Sequence, residues 1–108
     1  MMNKRERKKI YKEAIKKWGY PLQLNMLMEE CAELIQATSK VLRKGNKLNS
    51  VWKNLVEEMA DVEIMIEQIK LSTDWQSLVK RVETAKHDKM LRLRNMLDKT
   101  KGEEEKGE

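Results

Sequence analysis

The chain has one cysteine, one histidine, one proline and four glycines in 108 residues, and aromatic residues make up only 5% of it. A single cysteine, Cys31, excludes an intrachain disulfide and gives no sign of an oxidising compartment. So few Gly and Pro leave little to interrupt regular structure, and 38% of the residues are charged. That balance favours long, solvent-faced helices over a sheet. No segment approaches the roughly 20 consecutive apolar residues of a membrane span. The basic start, Met1-Met2-Asn3-Lys4-Arg5-Glu6-Arg7-Lys8-Lys9, is followed by no apolar core of signal-peptide length. The expectation is a soluble, cytoplasmic protein with no membrane partner.

What is present is charge, with basic residues in excess. The net charge of +5 suits an anionic ligand, nucleotide or nucleic acid, without choosing between them. The length allows one domain with one modest core. A small subunit of this kind buries little surface, so association into a dimer or higher oligomer is expected.

Four helices are legible. Ile10, Ala14 and Trp18 recur at four-residue spacing, with Tyr11 and Ile15 beside them, predicting a helix over 3–18. Gly19 ends it and Pro21 suits the first turn of a second helix over 21–44. There Leu24, Leu27, Cys31, Leu34, Ile35, Thr38, Val41 and Leu42 form a broad apolar stripe, bordered by Gln23, Glu30, Glu33, Ala37 and Lys40. Arg43-Lys44-Gly45-Asn46 reads as its stop. Asn49 or Ser50 can cap a third helix over 50–71, whose apolar stripe is Val51, Leu55, Met59, Val62, Ile66 and Ile69, edged by Asn54, Glu58, Asp61 and Met65. Thr73 with Gln76 makes a capping box for a fourth helix over 74–99. Trp75, Leu78, Val79, Val82, Ala85, Met90, Leu93 and Leu97 give that helix its apolar side, and Lys86, Lys89 and Arg92 follow one another at three-residue spacing. The domain therefore covers 1–100. Residues 101–108 contain no apolar residue and are expected to be a disordered charged tail.

Two acidic clusters stand out. Glu29-Glu30-x-x-Glu33 lies on the second helix and Glu58-x-x-Asp61 on the third. Positions three apart share a helix face, so Glu30 neighbours Glu33 and Glu58 neighbours Asp61. If the loop over 43–50 reverses the chain and the two helices pack antiparallel, four carboxylates point at one spot. At close range they repel one another unless a cation sits between them. All candidate ligands are carboxylates, and hard oxygen donors select Mg²⁺, or Mn²⁺, over Zn²⁺. A ferritin-like di-iron site calls for Glu-x-x-His pairs, and His87 lies on neither acidic helix. Asn54 precedes Glu58 by one turn and can orient a ligand. Lys40 continues the face of Glu33 and can reach a phosphate. Gln23, two turns before Glu30, can touch a base or sugar.

Together the two clusters, their spacing and their flanks resemble the signature of the MazG-like, all-α NTP pyrophosphatase superfamily. The likeness takes in Trp18-Gly19, Gln23, the run from Glu29 to Ala37, Ser39-Lys40, Arg43-Lys44-Gly45, the run from Asn54 to Met65, and Lys89-x-x-Arg92-Leu93. It spans about residues 10–97. The resemblance implies Mg²⁺-dependent hydrolysis of nucleoside triphosphates between the α and β phosphates, releasing the monophosphate and pyrophosphate. By motif position Glu30, Glu33, Glu58 and Asp61 would be the metal ligands, and Glu29 an outer carboxylate that orients water or serves a second metal. Lys89 and Arg92 match positions linked to phosphate. Homodimers or homotetramers in which helices of two subunits complete a four-helix bundle around each site are implied as well.

The competing reading is a small basic helical module that binds nucleic acid or a protein through its Lys/Arg-rich first helix, with the acids as structure. No aromatic-interleaved basic motif or nucleic-acid signature accompanies that helix, so nucleic acid is not the expected partner. Cys31 reads as a small core residue and Trp52 and Trp75 as packing residues; Trp18, beside the Gly19 turn, reads as a core residue with stacking on a base as the alternative, and His87 receives no role.

Overall fold

The computed structural model describes residues 1–45, 48–72 and 77–107, and among them it is wholly helical, without strands. Four helices follow in order, α1 (Lys4–Trp18), α2 (Tyr20–Lys44), α3 (Asn49–Ser72) and α4 (Leu78–Lys106). The chain divides into two compact units, Met1–Thr73 and Asp74–Glu108. That boundary falls inside the stretch that the sequence reading takes as one domain. The capping box expected at Thr73 and Gln76, and Trp75 with it, lie outside the described residues.

Local chemistry sets the helix ends of the first unit. Asn3 caps α1, its side chain accepting from the Glu6 N–H at 2.9 Å, and such a cap satisfies a donor the helix itself leaves open. Gly19 closes α1 by donating its N–H to the Ile15 carbonyl at 2.8 Å, with φ +80°. That backbone conformation is open to glycine and strained for other residues, and it lets α2 start at once with Pro21 in its first turn. Gly45, at φ +73°, ends α2 in the same way. Asn49 and Ser50 both fall inside α3, whose first turn bonds Val51 and Trp52 N–H to the Leu48 carbonyl.

α3 packs against both α2 and α1. Tyr11 of α1 is buried, and Glu67 of α3 forms an ion pair with Arg7 at 3.7 Å. Burial raises the Tyr11 phenol above its ordinary pKa, and the neighbouring Glu67 carboxylate adds to the rise. The interior between α2 and α3 is turned from the expected stripes. On α2 the inner line is Gln23, half-buried Glu30 and Ala37, with Ala37 only 1% exposed, flanked by half-buried Leu27, Leu34 and Val41. On α3 it is Val51, Leu55, Glu58, Val62, Met65 and Gln68. Leu24, Ile35 and Leu42 of the expected stripe face away from α3, Leu42 being 81% exposed. α2 therefore carries two apolar sides, and one of them lies open in the single chain. Of the four acids expected on the rim of the core, Glu30 and Glu58 stand on the inner line itself, and Glu33 and Asp61 stay exposed beside it.

α4 forms the helical part of the second unit. Its side chains from Glu83 to Lys101 are exposed, including Met90, Leu93 and Leu97 of the expected apolar side. The helix continues over 101–106, where the sequence reading expects a disordered tail. Lys and Glu are good helix formers, and Thr100 bonds back to the Met96 carbonyl at 2.9 Å just before that stretch. Among the described residues no helix is long and apolar enough to cross a membrane.

Candidate metal centre

Glu30 and Glu33 come from the middle of α2, and Glu58 and Asp61 from the middle of α3. Each offers one carboxylate oxygen such that the four oxygens lie within 4.8 Å of one another. The helical repeat accounts for the arrangement. Three residues is just under one turn, so each helix presents its two acids side by side toward the same point.

The electrostatics of the cluster are unfavourable when it stands alone. Glu30 and Glu58 are half-buried, Glu33 and Asp61 exposed. One oxygen of each inner carboxylate, Glu30 Oε2 and Glu58 Oε2, is out of solvent with no hydrogen-bond partner. Burial pushes the Glu30 carboxyl above its ordinary pKa, and the charges of Glu33 and Asp61 push it further. Glu58 is raised by burial, then by its contact with the Glu33 carboxyl and by the charges of Glu33, Asp61 and Glu57. Two carboxyl groups bond to each other only when one holds a proton. The cluster therefore retains protons at pH values where an isolated carboxylate has lost them. A divalent cation can replace those protons, and a donor set made only of carboxylate oxygens fits a hard ion. The orphaned oxygens and the four-acid donor set thus fit Mg²⁺ or Mn²⁺.

The other candidate residues lie in various places. Glu29 is exposed on α2 beside Glu30, and Lys40 is exposed two turns after Glu33. Asn54 is half-buried on α3, one turn before Glu58. Gln23 is buried, and its carbonyl accepts a hydrogen bond from Gln68 Nε2 at 2.6 Å. Lys89 and Arg92 are exposed on α4, in the second unit. Cys31 is half-buried and free, and His87 is exposed. Sequence reasoning missed Gln68. Its signal was available, because Asn54, Asp61 and Gln68 recur at seven-residue spacing on α3 as Gln23, Glu30 and Ala37 do on α2. A glutamine with no charge gave no reason to extend the line.

No family model matches the chain, and no curated protein or solved structure matches it significantly.

Proposed function

We infer that this chain is a Mg²⁺-dependent nucleoside triphosphate pyrophosphohydrolase of the MazG-like kind, converting an NTP or dNTP and water to the monophosphate and pyrophosphate. The observation that carries the reading is the convergence of Glu30, Glu33, Glu58 and Asp61 within 4.8 Å, with an unpartnered oxygen on each inner acid. The resemblance in sequence supplies the reaction.

In this reading Glu30, Glu33, Glu58 and Asp61 hold the cation. Bound there, Mg²⁺ would neutralise phosphate charge and act as a Lewis acid toward phosphorus. The chain's own groups do the rest. Glu29 orients the attacking water and takes up its proton. Asn54 and Gln23 position the nucleotide, and Lys40 is available to phosphate oxygens. Lys89 and Arg92 are assigned to phosphate by the resemblance alone. Water oxygen bonds to phosphorus as the bridging P–O bond between the α and β phosphates breaks. Oriented reactants and stabilised charge are the two largest contributions such a site can make.

The reading also takes α2 and α3 as an antiparallel pair and the active species as a cytoplasmic homodimer or homotetramer. The bond from Gln68, late in α3, to Gln23, early in α2, supports the pairing. The exposed apolar line of α2 supports the oligomer.

The test is pyrophosphate release from a panel of NTPs and dNTPs with Mg²⁺ or Mn²⁺. Turnover is expected, and Glu30→Gln should lower it by at least about a hundredfold, as loss of a principal electrostatic group does, while far-UV circular dichroism stays helical. Failure to cleave any nucleotide with either ion would end the enzyme reading. The nucleic-acid module keeps one observation in its favour. Arg5, Lys8, Lys9, Lys12 and Lys16 are all exposed on α1. It predicts salt-sensitive nucleic-acid binding that survives Glu30→Gln.

A further inference from the structure

Gln23 precedes Glu30 by seven residues, which places it about 10 Å along α2 from the acidic cluster. There the first unit has a groove of about 310 Å³ lined by Trp18, Leu22, Gln23, Met26 and Met65. Its walls are apolar except for one amide, the composition of a small-molecule site with few placed polar groups. Trp18 is half exposed, and the Lys17 ammonium lies 5.2 Å from its ring centroid, a cation–π contact that holds the indole. Met26 and Met65 bring flexible, polarisable thioethers that suit the flat face or edge of an aromatic ring.

The amide is the informative part. Gln23 is 5% exposed and Gln68 6%, and the two meet through Gln68 Nε2 donating to Gln23 Oε1. Burying amides is costly unless their groups are paired. This bond turns the Gln23 carbonyl toward Gln68 and uses one of its two lone pairs, so what Gln23 chiefly offers a ligand is its NH₂ group, with two N–H donors. A planar aromatic ligand entering beside Trp18 meets a donor. A lipid tail would fill the apolar walls and leave that donor unanswered.

We propose that this groove binds a nucleobase through a ring carbonyl, so that uracil, thymine, cytosine and guanine, whose carbonyl oxygen projects beyond the ring, are preferred over adenine, whose acceptors are nitrogens set within the ring. The choice of a nucleotide rests on the reading of the acidic cluster given above. The two-turn separation along α2 sets the groove at one end of a nucleotide and the carboxylates at the other.

The test uses the intact metal-free chain in EDTA, with nucleoside monophosphates as probes. NMR follows the indole N–H of Trp18 and the side-chain NH₂ of Gln23. UMP and GMP should shift both signals, and AMP should bind roughly tenfold more weakly, the discrimination worth about one hydrogen bond. In Gln68→Glu the carboxylate cannot donate, so the Gln23 amide should turn over and AMP should gain on UMP. In Gln68→Met, which carries no charge into the interior, the ranking should flatten. Equal binding of AMP and UMP by the wild type overturns the proposal, as do shifts confined to other residues or a ranking unchanged in both variants. Pyrophosphate release keeps the two readings apart. Groove shifts without turnover leave the base site standing and remove the hydrolase. Turnover without groove shifts does the reverse.

Discussion

Glu30 and Glu58 each keep one oxygen away from water with nothing to bond to it, in the middle of four like charges. A carboxyl so placed holds its proton above the ordinary carboxylate range, about 4 to 4.5, and both are raised. The sign for stability follows from linkage. Between the ordinary value and the raised one, the folded chain binds more protons than the unfolded chain, so stability falls as pH rises through that window. The metal-free protein should therefore melt at a lower temperature as pH climbs above the carboxylate range. Glu30→Gln, which has no proton to lose there, should flatten that slope. Mg²⁺ should restore stability most at the higher pH, by about 2.7 kcal/mol at a hundredfold excess over its Kd, and should do little for Glu30→Gln. Melting followed at 222 nm across pH 5 to 8, with and without Mg²⁺, checks all three. Parallel slopes for wild type and variant would show that the acids do not titrate against one another.

At the scale of the helices, the two kinds of glycine make opposite predictions. An added Cβ at Gly19 would meet nothing closer than Pro21 Cδ at 3.8 Å, but φ is +80°. Gly19→Ala should then destabilise by backbone strain alone, about 1–3 kcal/mol. Gly102 sits inside α4 with open space around it. Gly102→Ala should add helical content to α4, worth up to about 1 kcal/mol. Denaturant melts of the first and far-UV circular dichroism of the second distinguish strain from propensity. These features also mark how far sequence reasoning reached. Gly19, Pro21 and Gly45 punctuate the chain because backbone chemistry is local, so the ends of α1 and α2 were legible to within a residue. Three-residue spacing put Glu30 with Glu33 and Glu58 with Asp61, since that follows from helix geometry. The direction α2 faces was not legible. Leu24, Ile35 and Leu42 are as apolar as Leu27, Leu34 and Val41, and nothing in one helix says which line meets α3. Gln68 was missed for a related reason, because its meaning depends on Gln23 across the interface.

For the whole molecule, the open side of α2 carries the remaining question of assembly. Leu24, Met28, Ile35 and Leu42 recur along one side of the helix and are all exposed, Ile35 by 69%. On α3, Trp52, Val56, Met59 and Ile66 are exposed too. Scattered exposed apolar residues are ordinary on any surface, whereas contiguous lines of them mark interfaces. Only Tyr11, Ala37, Val51, Val62 and Met65 form the buried apolar core among the described residues, a small store of burial for a chain this long. If a second copy covers the open line, removing it should separate assembly from folding. Ile35→Glu with Leu42→Glu places charges on side chains that face away from α3, so the single-chain interior is untouched. Sedimentation should find the wild type as a dimer or tetramer and the double variant as a monomer. The variant should stay helical yet melt earlier and with less dependence on protein concentration, because association stabilises by mass action. A wild type that sediments as a monomer at every concentration would leave the apolar line unexplained by self-association. It would also leave the four carboxylates of one chain as the whole acidic cluster, with nothing added by a second copy.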